Sequence, residues 1–459
     1  MTDLSLPADS AIPTSDWRAR DLAVVWHPCT QMRDHESVPM LSIARGEGVW
    51  LYDHDGRRYL DAISSWWTNL FGHANPRIGA AVKDQLDRLE HVLLAGCTHE
   101  PAVQLAEELL RIAPPGFARV FYADNGSSAV EVALKMSFHY WRNRGQGRKQ
   151  RFIALTGSYH GETLGALSVT DVPLYRATYA PLLRDPLFVA SPDCYTREAG
   201  QTWEAHSIGK LDAMRAALAA HAHEVSAVIV EPLVQCAAGM RMYHPAYLTG
   251  LRALCDEFDV HLIADEIAVG FGRTGTLFAC EQASIRPDFL CLSKGLTGGF
   301  LPLSAVLTTA AVYDAFYAEY TSGKAFLHSH SYTGNPLACR AALATLAVFR
   351  DEPVIERNRA LAAHLARRLA PLADHPNVAE VRQTGMIAAV ELVRDRATRT
   401  PFASAERRGL RAYLRGLERG ALLRPLGDIV YFMPPYVITP GEIDFMIDVA
   451  TDAIERAVA

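Results

Sequence analysis

The 459-residue chain has few features of proteins that bind nucleic acid or cross membranes. Its 45 basic residues are outnumbered by 51 acidic ones, so it lacks the surplus of positive charge that neutralises phosphate backbones. No run reaches 18 consecutive apolar residues, the length that a membrane-spanning helix requires. The opening MTDLSLPADSAIPTSDW has acidic residues and prolines where a secretory signal needs a basic start and an apolar core. We therefore expect a cytoplasmic protein with no nucleic-acid or membrane partner.

The arrangement of the cysteines and the scarcity of lysine are also informative. The eight cysteines include no C-x-x-C pair, which argues against a disulfide framework and a zinc ribbon. His328 and His330 lack a third ligand at metal spacing, so no metal site is expected. Lysines number only six, so chemistry that needs an amine has few candidates: Lys83, Lys135, Lys149, Lys210, Lys294 and Lys324.

The chain has the composition and pattern of a folded α/β protein, with 49% hydrophobic and 21% charged residues. From about residue 76, helical segments alternate with short apolar runs: RVFYA, RFIAL, VSAVIVEP, VHLIADE and DFLCLSK. This alternation predicts a large domain built on a mostly parallel sheet with helices on both faces. Before it, residues 48–62 alternate around Asp55-Gly56 and predict a hairpin.

The pattern changes again around Gly334-Asn335-Pro336, where helices are followed by isolated strands. We interpret this part as a smaller α+β domain. The predicted boundaries are 76–335 for the large domain, with 1–75 as an N-terminal segment and 336–459 as the C-terminal small domain.

Three of the apolar runs end in charged residues, namely Glu231, Asp265-Glu266 and Lys294. Ligands of parallel sheets bind beyond the carboxyl ends of the strands, so these residues should face one crevice. A desolvated lysine there is a nucleophile towards carbonyls and forms a Schiff base, although a strand-end lysine can also simply extend to water. Asp265 suits a carboxylate that keeps a pyridine nitrogen protonated, as pyridoxal phosphate requires; the alternative is a helix cap or an ordinary loop acid.

Two further segments predict contacts with the same ligand. FYADNGSSAVEVALK is a strand, a turn and a helix that begins near Ser127-Ser128, and the start of a helix binds anions such as phosphate. A capping box of Ser128 with Glu131 would explain the same residues without a ligand. Tyr159 follows the run RFIAL and could stack on a pyridine ring or pack locally.

The segment GFGRTG at 270–275 formally matches the dinucleotide pattern G-x-G-x-x-G. Its first glycine does not follow the strand directly, and no helix is expected after it. A nicotinamide cofactor is therefore disfavoured.

Between about Trp26 and Pro435 the chain resembles the class III pyridoxal-phosphate-dependent aminotransferases of fold type I. The resemblance implies that Lys294 forms the Schiff base and that Asp265 pairs with the pyridine nitrogen. It also implies that Gly126 and Ser127 hold the phosphate and that Tyr159 stacks near cofactor and substrate. Further implied roles fall to residues of one loop, with Ser329 near the substrate, and His330 and Ser331 reaching the phosphate from the second subunit of a homodimer.

Narrower motifs are similar to those of the family members that act in biotin synthesis. They are WHPCTQM at 26–32, SSWWTNLFGH at 64–73, EP-x-VQ-x-AAGMRMYHP at 231–245, LTGG at 296–299 and LRPLG-x-x-x-YFMPPY at 423–436. This similarity implies an acceptor, 8-amino-7-oxononanoate, whose chain lies along Trp66 and whose carboxylate binds Arg424. The implied amino donor is S-adenosylmethionine, with lysine as an alternative.

Two other functions remain open at this point. One is another class III enzyme that acts on an ω-amino acid such as ornithine or 4-aminobutyrate. The other is a non-catalytic cofactor-binding or scaffold protein on the same fold, which the presence of both Lys294 and Asp265 disfavours.

The chain departs from the family pattern at three places. Cys29 stands where a tyrosine is common, which removes a phenol hydroxyl from the expected substrate pocket. Ser329-His330-Ser331 replaces an expected Gly-Pro-Thr, so one hydroxyl is kept while the loop loses its proline and glycine. Val269 replaces a frequent threonine, and nothing in the sequence explains its effect.

Overall fold

The computed structural model describes residues 16–459, so most of the opening segment interpreted above lies outside the described residues. Within this range the strands are β1 (Ile43–Glu47), β2 (Trp50–Asp53), β3 (Arg58–Asp61), β4 (Arg119–Ala123), β5 (Arg151–Leu155), β6 (Leu187–Val189), β7 (Val225–Val230), β8 (Val234–Gln235), β9 (Arg241–Met242), β10 (His261–Asp265), β11 (Phe289–Leu292), β12 (Ser304–Thr308), β13 (Val378–Thr384), β14 (Ile387–Leu392), β15 (Ala421–Leu422) and β16 (Ile429–Phe432).

The helices of the same range connect these strands and cover the sheets. They are α1 (Trp17–Val24), α2 (Ser64–Trp67), α3 (Pro76–Leu86), α4 (Glu100–Ile112), α5 (Gly126–Asn143), α6 (Leu164–Ser168), α7 (Pro173–Arg176), α8 (Trp203–Gly209), α9 (Leu211–His221), α10 (Ala246–Glu257), α11 (Ala310–Asp314), α12 (Pro336–Asp351), α13 (Val354–Leu369), α14 (Arg408–Glu418) and α15 (Pro440–Val458). None of the helices described in residues 16–459 is long and apolar enough to cross a membrane.

A seven-stranded sheet in the order β4-β12-β11-β10-β7-β5-β6 forms the centre of the molecule. Its strands are parallel except β12, which runs antiparallel to both of its neighbours. The five apolar runs singled out in the sequence form β4, β5, β7, β10 and β11, as predicted, while β6 and β12 were not predicted. The predicted α/β fold class is therefore confirmed.

Alternate residues of each central strand enter two different cores, which explains why the strands are apolar on both faces. In β10, Leu262 and Ala264 pack into the larger core, which also contains residues of α10. Ile263 points the other way, into a smaller core formed largely with α5. Helices thus cover both faces of the sheet and leave its carboxyl-terminal edge open.

Smaller sheets lie on either side of this centre in the sequence. The predicted hairpin is present as β2 and β3, and β15 adds to it in parallel next to β3. Strands β13, β14 and β16 form a separate antiparallel sheet. Strands β1, β2, β3 and β15 therefore share one sheet although β15 lies far from the others in the sequence. The grouping of 1–75 with 336–459 and the domain boundaries stay predictions.

Candidate active site

A cavity of about 740 Å³ opens at the carboxyl ends of the central strands. Glu231 follows β7, Asp265 ends β10 and Lys294 comes two residues after β11; all three line the cavity. Because β7, β10 and β11 are adjacent and parallel, their ends deliver these side chains to one place. The predicted crevice is therefore present, with the predicted residues in it.

Lys294 is the one lysine among the described residues that line this cavity. Its backbone has φ +44°, in the left-handed region that residues other than glycine seldom adopt. Its Nζ lies 5.2 Å from the ring centroid of Trp67. Burial lowers the pKa of the amine, and the opposing charge of Asp265 only partly offsets this effect. A lysine in this setting gives up its proton more readily than one in water, as a nucleophilic amine must.

Asp265 is held at two points and is almost fully buried. Its Oδ2 lies 2.7 Å from Nδ1 of His160, and its Oδ1 accepts a hydrogen bond of 3.1 Å from the backbone N–H of Ile267. The backbone N–H of His160 in turn donates to Thr170 Oγ1 at 2.9 Å. No helix begins at Asp265, so the alternative role as a helix cap is wrong. The contacts leave this carboxylate fixed at the floor of the cavity.

The first turn of α5 faces the same cavity through Gly126 and Ser127. The N–H groups of these two residues have no carbonyl acceptor within the helix and carry the positive end of its dipole. The helix is capped by Asn125, whose side chain accepts from the N–H of Ser128 at 3.0 Å. The capping box of Ser128 with Glu131 is therefore wrong, because Glu131 instead accepts hydrogen bonds from the segment 163–166. The anion site that the sequence predicts remains available.

Space at this turn depends on glycine. A Cβ on Gly126 would come within 2.9 Å of Ile267 Cγ2. Gly161 has φ +125°, and a Cβ there would collide with the Ser127 side chain. Both positions therefore keep the wall of the cavity free of side-chain atoms next to the helix terminus.

Tyr159 lies between two carboxyl groups. Its backbone N–H donates to Glu231 Oε2 at 3.0 Å, and its hydroxyl donates to Glu162 Oε1 at 2.9 Å. Glu231 Oε1 also accepts from the N–H of Cys236 at 3.0 Å. Burial, reinforced by the nearby charge of Asp265, raises the pKa of Glu231 to about 8. Glu231 thus fixes the backbone of Tyr159, while Glu162 carries the exposed negative charge beside the tyrosine hydroxyl.

A turn of unusual backbone conformation supplies one wall. The four residues of α2 have φ between +44° and +74°, so this turn is left-handed. It buries Trp67, which is 4% exposed, and leaves Trp66 37% exposed. The indole N–H of Trp67 donates to the hydroxyl of Tyr431 at 3.1 Å. The tandem tryptophans therefore face different ways, with Trp67 towards Lys294 and Trp66 outward.

Arg424 packs on the outward tryptophan. Its guanidinium carbon lies 4.1 Å from the Trp66 ring centroid, and within residues 16–459 it forms no ion pair with a carboxylate. Cys29 belongs to the same neighbourhood, because burial and Glu162 raise the pKa of its thiol while Arg424 lowers it. The structure therefore brings together Trp66, Arg424 and Cys29, which lie far apart in the sequence.

The GFGRTG segment has a structural role. Arg273 is fully buried, and its Nη1 donates to the carbonyl of Pro434 at 2.8 Å while its Nη2 reaches that of Asn69 at 3.3 Å. The segment forms successive turns after β10 and opens no helix. It lacks the helix terminus that a dinucleotide site uses.

The loop residues Ser329, His330 and Ser331 do not line the cavity of their own chain. Ser329 and Ser331 are exposed, and His330 Nδ1 lies 3.1 Å from Asp124 Oδ2. Their predicted contacts with substrate and phosphate, expected across a two-fold axis, stay predictions.

Two residues of the site were missed by the sequence analysis. His160 directly follows Tyr159 in the sequence, but no pattern showed that its ring would reach Asp265. Glu162 lies only three residues beyond Tyr159, which is a usable signal because a short turn there returns its carboxylate to the tyrosine hydroxyl.

Two aminotransferases are similar to this chain over nearly its whole length. The adenosylmethionine-8-amino-7-oxononanoate aminotransferase of Geobacter sulfurreducens is 47% identical over 94% of this chain and 95% of its own length. The enzyme of the same name from Helicobacter pylori is 47% identical over 93% of this chain and 94% of its own length.

Solved structures give the same result for the fold. The crystal structure of adenosylmethionine-8-amino-7-oxononanoate aminotransferase from Methanocaldococcus jannaschii matches with a TM-score of 0.90 and 39% identity, covering 95% of this chain and 98% of that one. An omega transaminase from Pseudomonas jessenii, in complex with PMP, matches with a TM-score of 0.92 and 30% identity over 96% of this chain and 98% of that one.

The residues of the cavity suit pyridoxal phosphate. The cavity offers one amine on Lys294, one fixed carboxylate on Asp265, and the free N–H groups of a helix terminus for a phosphate. The buried Nε2 of His160 has no hydrogen-bond partner among residues 16–459, so the described residues leave one polar atom of the site unsatisfied. Together with the transaminase neighbours, this donor set identifies the cofactor as pyridoxal 5'-phosphate.

The family described as aminotransferase class-III matches residues 31–457, which is almost the whole chain. The predicted enzyme class is confirmed, which contradicts the alternative of a non-catalytic scaffold protein. This chain belongs to the class III aminotransferases.

Proposed function

We propose that the protein transfers the amino group of S-adenosylmethionine to 8-amino-7-oxononanoate, giving 7,8-diaminononanoate in biotin biosynthesis. The observation that carries the proposal is Arg424, whose guanidinium stacks on Trp66, the neighbour of the cavity residue Trp67, and has no carboxylate partner within residues 16–459. An acceptor with a long apolar chain and a terminal carboxylate matches this arrangement. Relatives that are 40–47% identical over nearly their full length carry the corresponding name, which supports the same function.

The bound cofactor supplies a carbonyl carbon for the amino group and a protonated ring that stabilises negative charge at the substrate carbon. Lys294 Nζ is the group that would remove and return the proton at that carbon, since burial lowers its pKa and so favours the neutral amine. Asp265 would hold the proton on the ring nitrogen, and His160 keeps the Asp265 carboxylate in place. The N–H groups of Gly126 and Ser127 would bind the phosphate, and the Tyr159 ring would lie against the cofactor.

The acceptor carries an ammonium group on the carbon beside its ketone. Glu162 and the hydroxyl of Tyr159 form a negative, hydrogen-bonding corner close to the cofactor that suits this ammonium. The apolar chain then runs along Trp66 towards Arg424, which pairs with the carboxylate. This placement puts the ketone nearest to Lys294.

We also propose a homodimer in which each chain completes the other's site. Ser329, His330 and Ser331 sit in an exposed loop beside Leu327 and Tyr332, which are 89% and 63% exposed. Apolar side chains this exposed are typical of surfaces that a second subunit covers. In the dimer His330 and Ser331 would contact the second chain's phosphate, and Ser329 its substrate. A monomer that keeps full activity at nanomolar concentration would contradict this arrangement.

The protein's compartment is proposed to be the cytoplasm. All eight cysteines are free thiols, including the exposed Cys29 and Cys97. Unpaired thiols fit a reducing compartment.

The test is to incubate the purified protein, loaded with pyridoxal phosphate, with 8-amino-7-oxononanoate and either S-adenosylmethionine or lysine. Mass spectrometry of 7,8-diaminononanoate measures product, and the variant Lys294→Ala serves as the inactive control. Formation of product with S-adenosylmethionine supports the proposal. Formation of product only with lysine would show that lysine is the amino donor. Absence of product with both, together with amino transfer from ornithine or 4-aminobutyrate, would favour the ω-amino acid alternative.

A further inference from the structure

Tyr175 is an aromatic residue next to the candidate site that none of the roles above uses. It lies in the short helix α7, and its ring centroid is 5.3 Å from that of Tyr159, at an interplanar angle of 60°. The side chain is partly buried, yet within residues 16–459 its hydroxyl forms no hydrogen bond. Packing thus fixes the ring and leaves a polar group at its tip available.

The surroundings of this hydroxyl are strongly polarised. Burial raises its pKa, Cys29 and Glu162 raise the pKa further, and Arg424 lowers it. The phenol therefore stays protonated and neutral, and it lies in the field of an anion and a cation. Cys29, an exposed residue whose charge would also act on this hydroxyl, offers only a thiol, which is a weak hydrogen-bonding group.

We propose that Tyr175 is a specificity-determining residue whose hydroxyl oxygen accepts a hydrogen bond from the ammonium group of the acceptor, beside Glu162. The inference rests on the proposed function, since it concerns the same acceptor. An ammonium has three N–H donors, and the Glu162 carboxylate is already shared with the Tyr159 hydroxyl. The Tyr175 oxygen supplies a further acceptor, held beside Tyr159 by the contact between the two rings.

The opposite orientation, with the acceptor's carboxylate at Tyr175, is less favourable. The carboxylate would then face Glu162, and Arg424 on Trp66 would remain without a counter-ion. The ammonium is thus the group that the charges around Tyr175 select.

The experiment compares Tyr175→Phe with the wild-type holoenzyme, since this change removes the hydroxyl and keeps the ring against Tyr159. The enzyme is first converted to its amine-carrying form, and dissociation constants are measured by following cofactor absorbance. Two acceptors are used, namely 8-amino-7-oxononanoate and 7-oxononanoate, which lacks the ammonium. Tyr179→Phe is the matched control, because Tyr179 is an exposed tyrosine four residues further along.

We expect Tyr175→Phe to raise the dissociation constant of 8-amino-7-oxononanoate about fivefold to tenfold, which is the effect of one hydrogen bond. The dissociation constant of 7-oxononanoate should change by less than about twofold. Tyr179→Phe should change neither. An equal loss for both acceptors, or no loss for 8-amino-7-oxononanoate, would each overturn the inference. Failure of the wild-type enzyme to convert 8-amino-7-oxononanoate at all would instead refute the proposed function.

Discussion

Replacing Arg424 by alanine tests how the protein recognises its acceptor. The guanidinium stacks on Trp66 and has no carboxylate partner among residues 16–459, so its removal breaks no ion pair within the described chain. Loss of the stacking contact at a partly exposed site should cost less than about 1 kcal/mol of unfolding free energy. A large effect on activity would therefore report on substrate binding and not on folding.

The expected magnitude follows from the partly buried position of the guanidinium. Truncating one member of a buried, hydrogen-bonded charge pair costs about 2–5 kcal/mol, and partial exposure places Arg424 at the low end, about 2–3 kcal/mol. Since about 1.4 kcal/mol corresponds to a factor of ten, acceptor affinity should fall roughly 30- to 150-fold. Arg424→Lys keeps the charge but loses the two parallel hydrogen bonds, so its loss should be intermediate.

The assay follows the two half-reactions separately by cofactor absorbance in single-turnover experiments. The donor half-reaction should change less than about threefold, because the donor has no long chain ending in a carboxylate at this position. Arg58→Ala is a matched control, since Arg58 also stacks on a tryptophan, with its guanidinium carbon 4.3 Å from the Trp50 ring centroid. That variant should leave both half-reactions unchanged. Equal damage to both half-reactions by Arg424→Ala would refute the assignment of Arg424 to the acceptor carboxylate.

Three further predictions concern the floor and the wall of the cavity. Borohydride should attach the cofactor covalently to the wild-type protein but not to Lys294→Ala, and attachment to another lysine in the variant would contradict the role of Lys294. The raised pKa of about 8 for Glu231 means that the folded state holds a proton which the unfolded state, with a usual pKa near 4.5, has released. The free energy of unfolding of the cofactor-free protein should therefore fall by about 2–3 kcal/mol between pH 6 and pH 8 through this group. Urea unfolding of Glu231→Gln should not show this part of the decrease. Parallel pH profiles of the two proteins would contradict the prediction. Gly161→Ala should lower cofactor affinity more than tenfold in titrations with pyridoxal phosphate. The reason is that the backbone φ of +125° and the Ser127 side chain leave no room for a methyl group. Unchanged affinity would show that this turn does not border the bound cofactor.

The strands that the sequence predicts best are those whose residues are buried on both faces. Continuous apolar runs such as VSAVIV and HLIAD are typical of the middle of a parallel sheet, and both become fully buried strands. The three-residue β6 is too short to give a pattern of its own. β12 is equally apolar but follows Lys294 closely and runs antiparallel, so its run SAVLT carries no distinctive sign of its place in the sheet.

The site likewise contains residues that the local sequence predicts and residues that it does not. Residues at strand ends could be placed from local pattern alone, which is how Glu231, Asp265 and Lys294 were found. The pairing of Trp66 with Arg424 joins two segments far apart in the chain, and only the resemblance to a family suggested it. No local pattern predicts that His160 turns its ring towards Asp265, because that contact joins the segment after β5 to the end of β10, with β7 lying between the two strands.

The left-handed turn of α2 has a consequence for when the site can form during synthesis. A left-handed backbone costs about 1–2 kcal/mol for each residue other than glycine, and this turn has four of them. The contacts that offset this cost come from the far end of the chain: Ser64 Oγ donates to the carbonyl of Met433 at 2.7 Å, and Trp67 donates to Tyr431. Met433 leaves the ribosome 369 residues after Ser64, and Tyr431 leaves it 364 residues after Trp67. The nascent chain can therefore complete its central sheet while the tryptophan wall is still unformed, and the enzyme acquires its acceptor pocket only when the final strand β16 has docked.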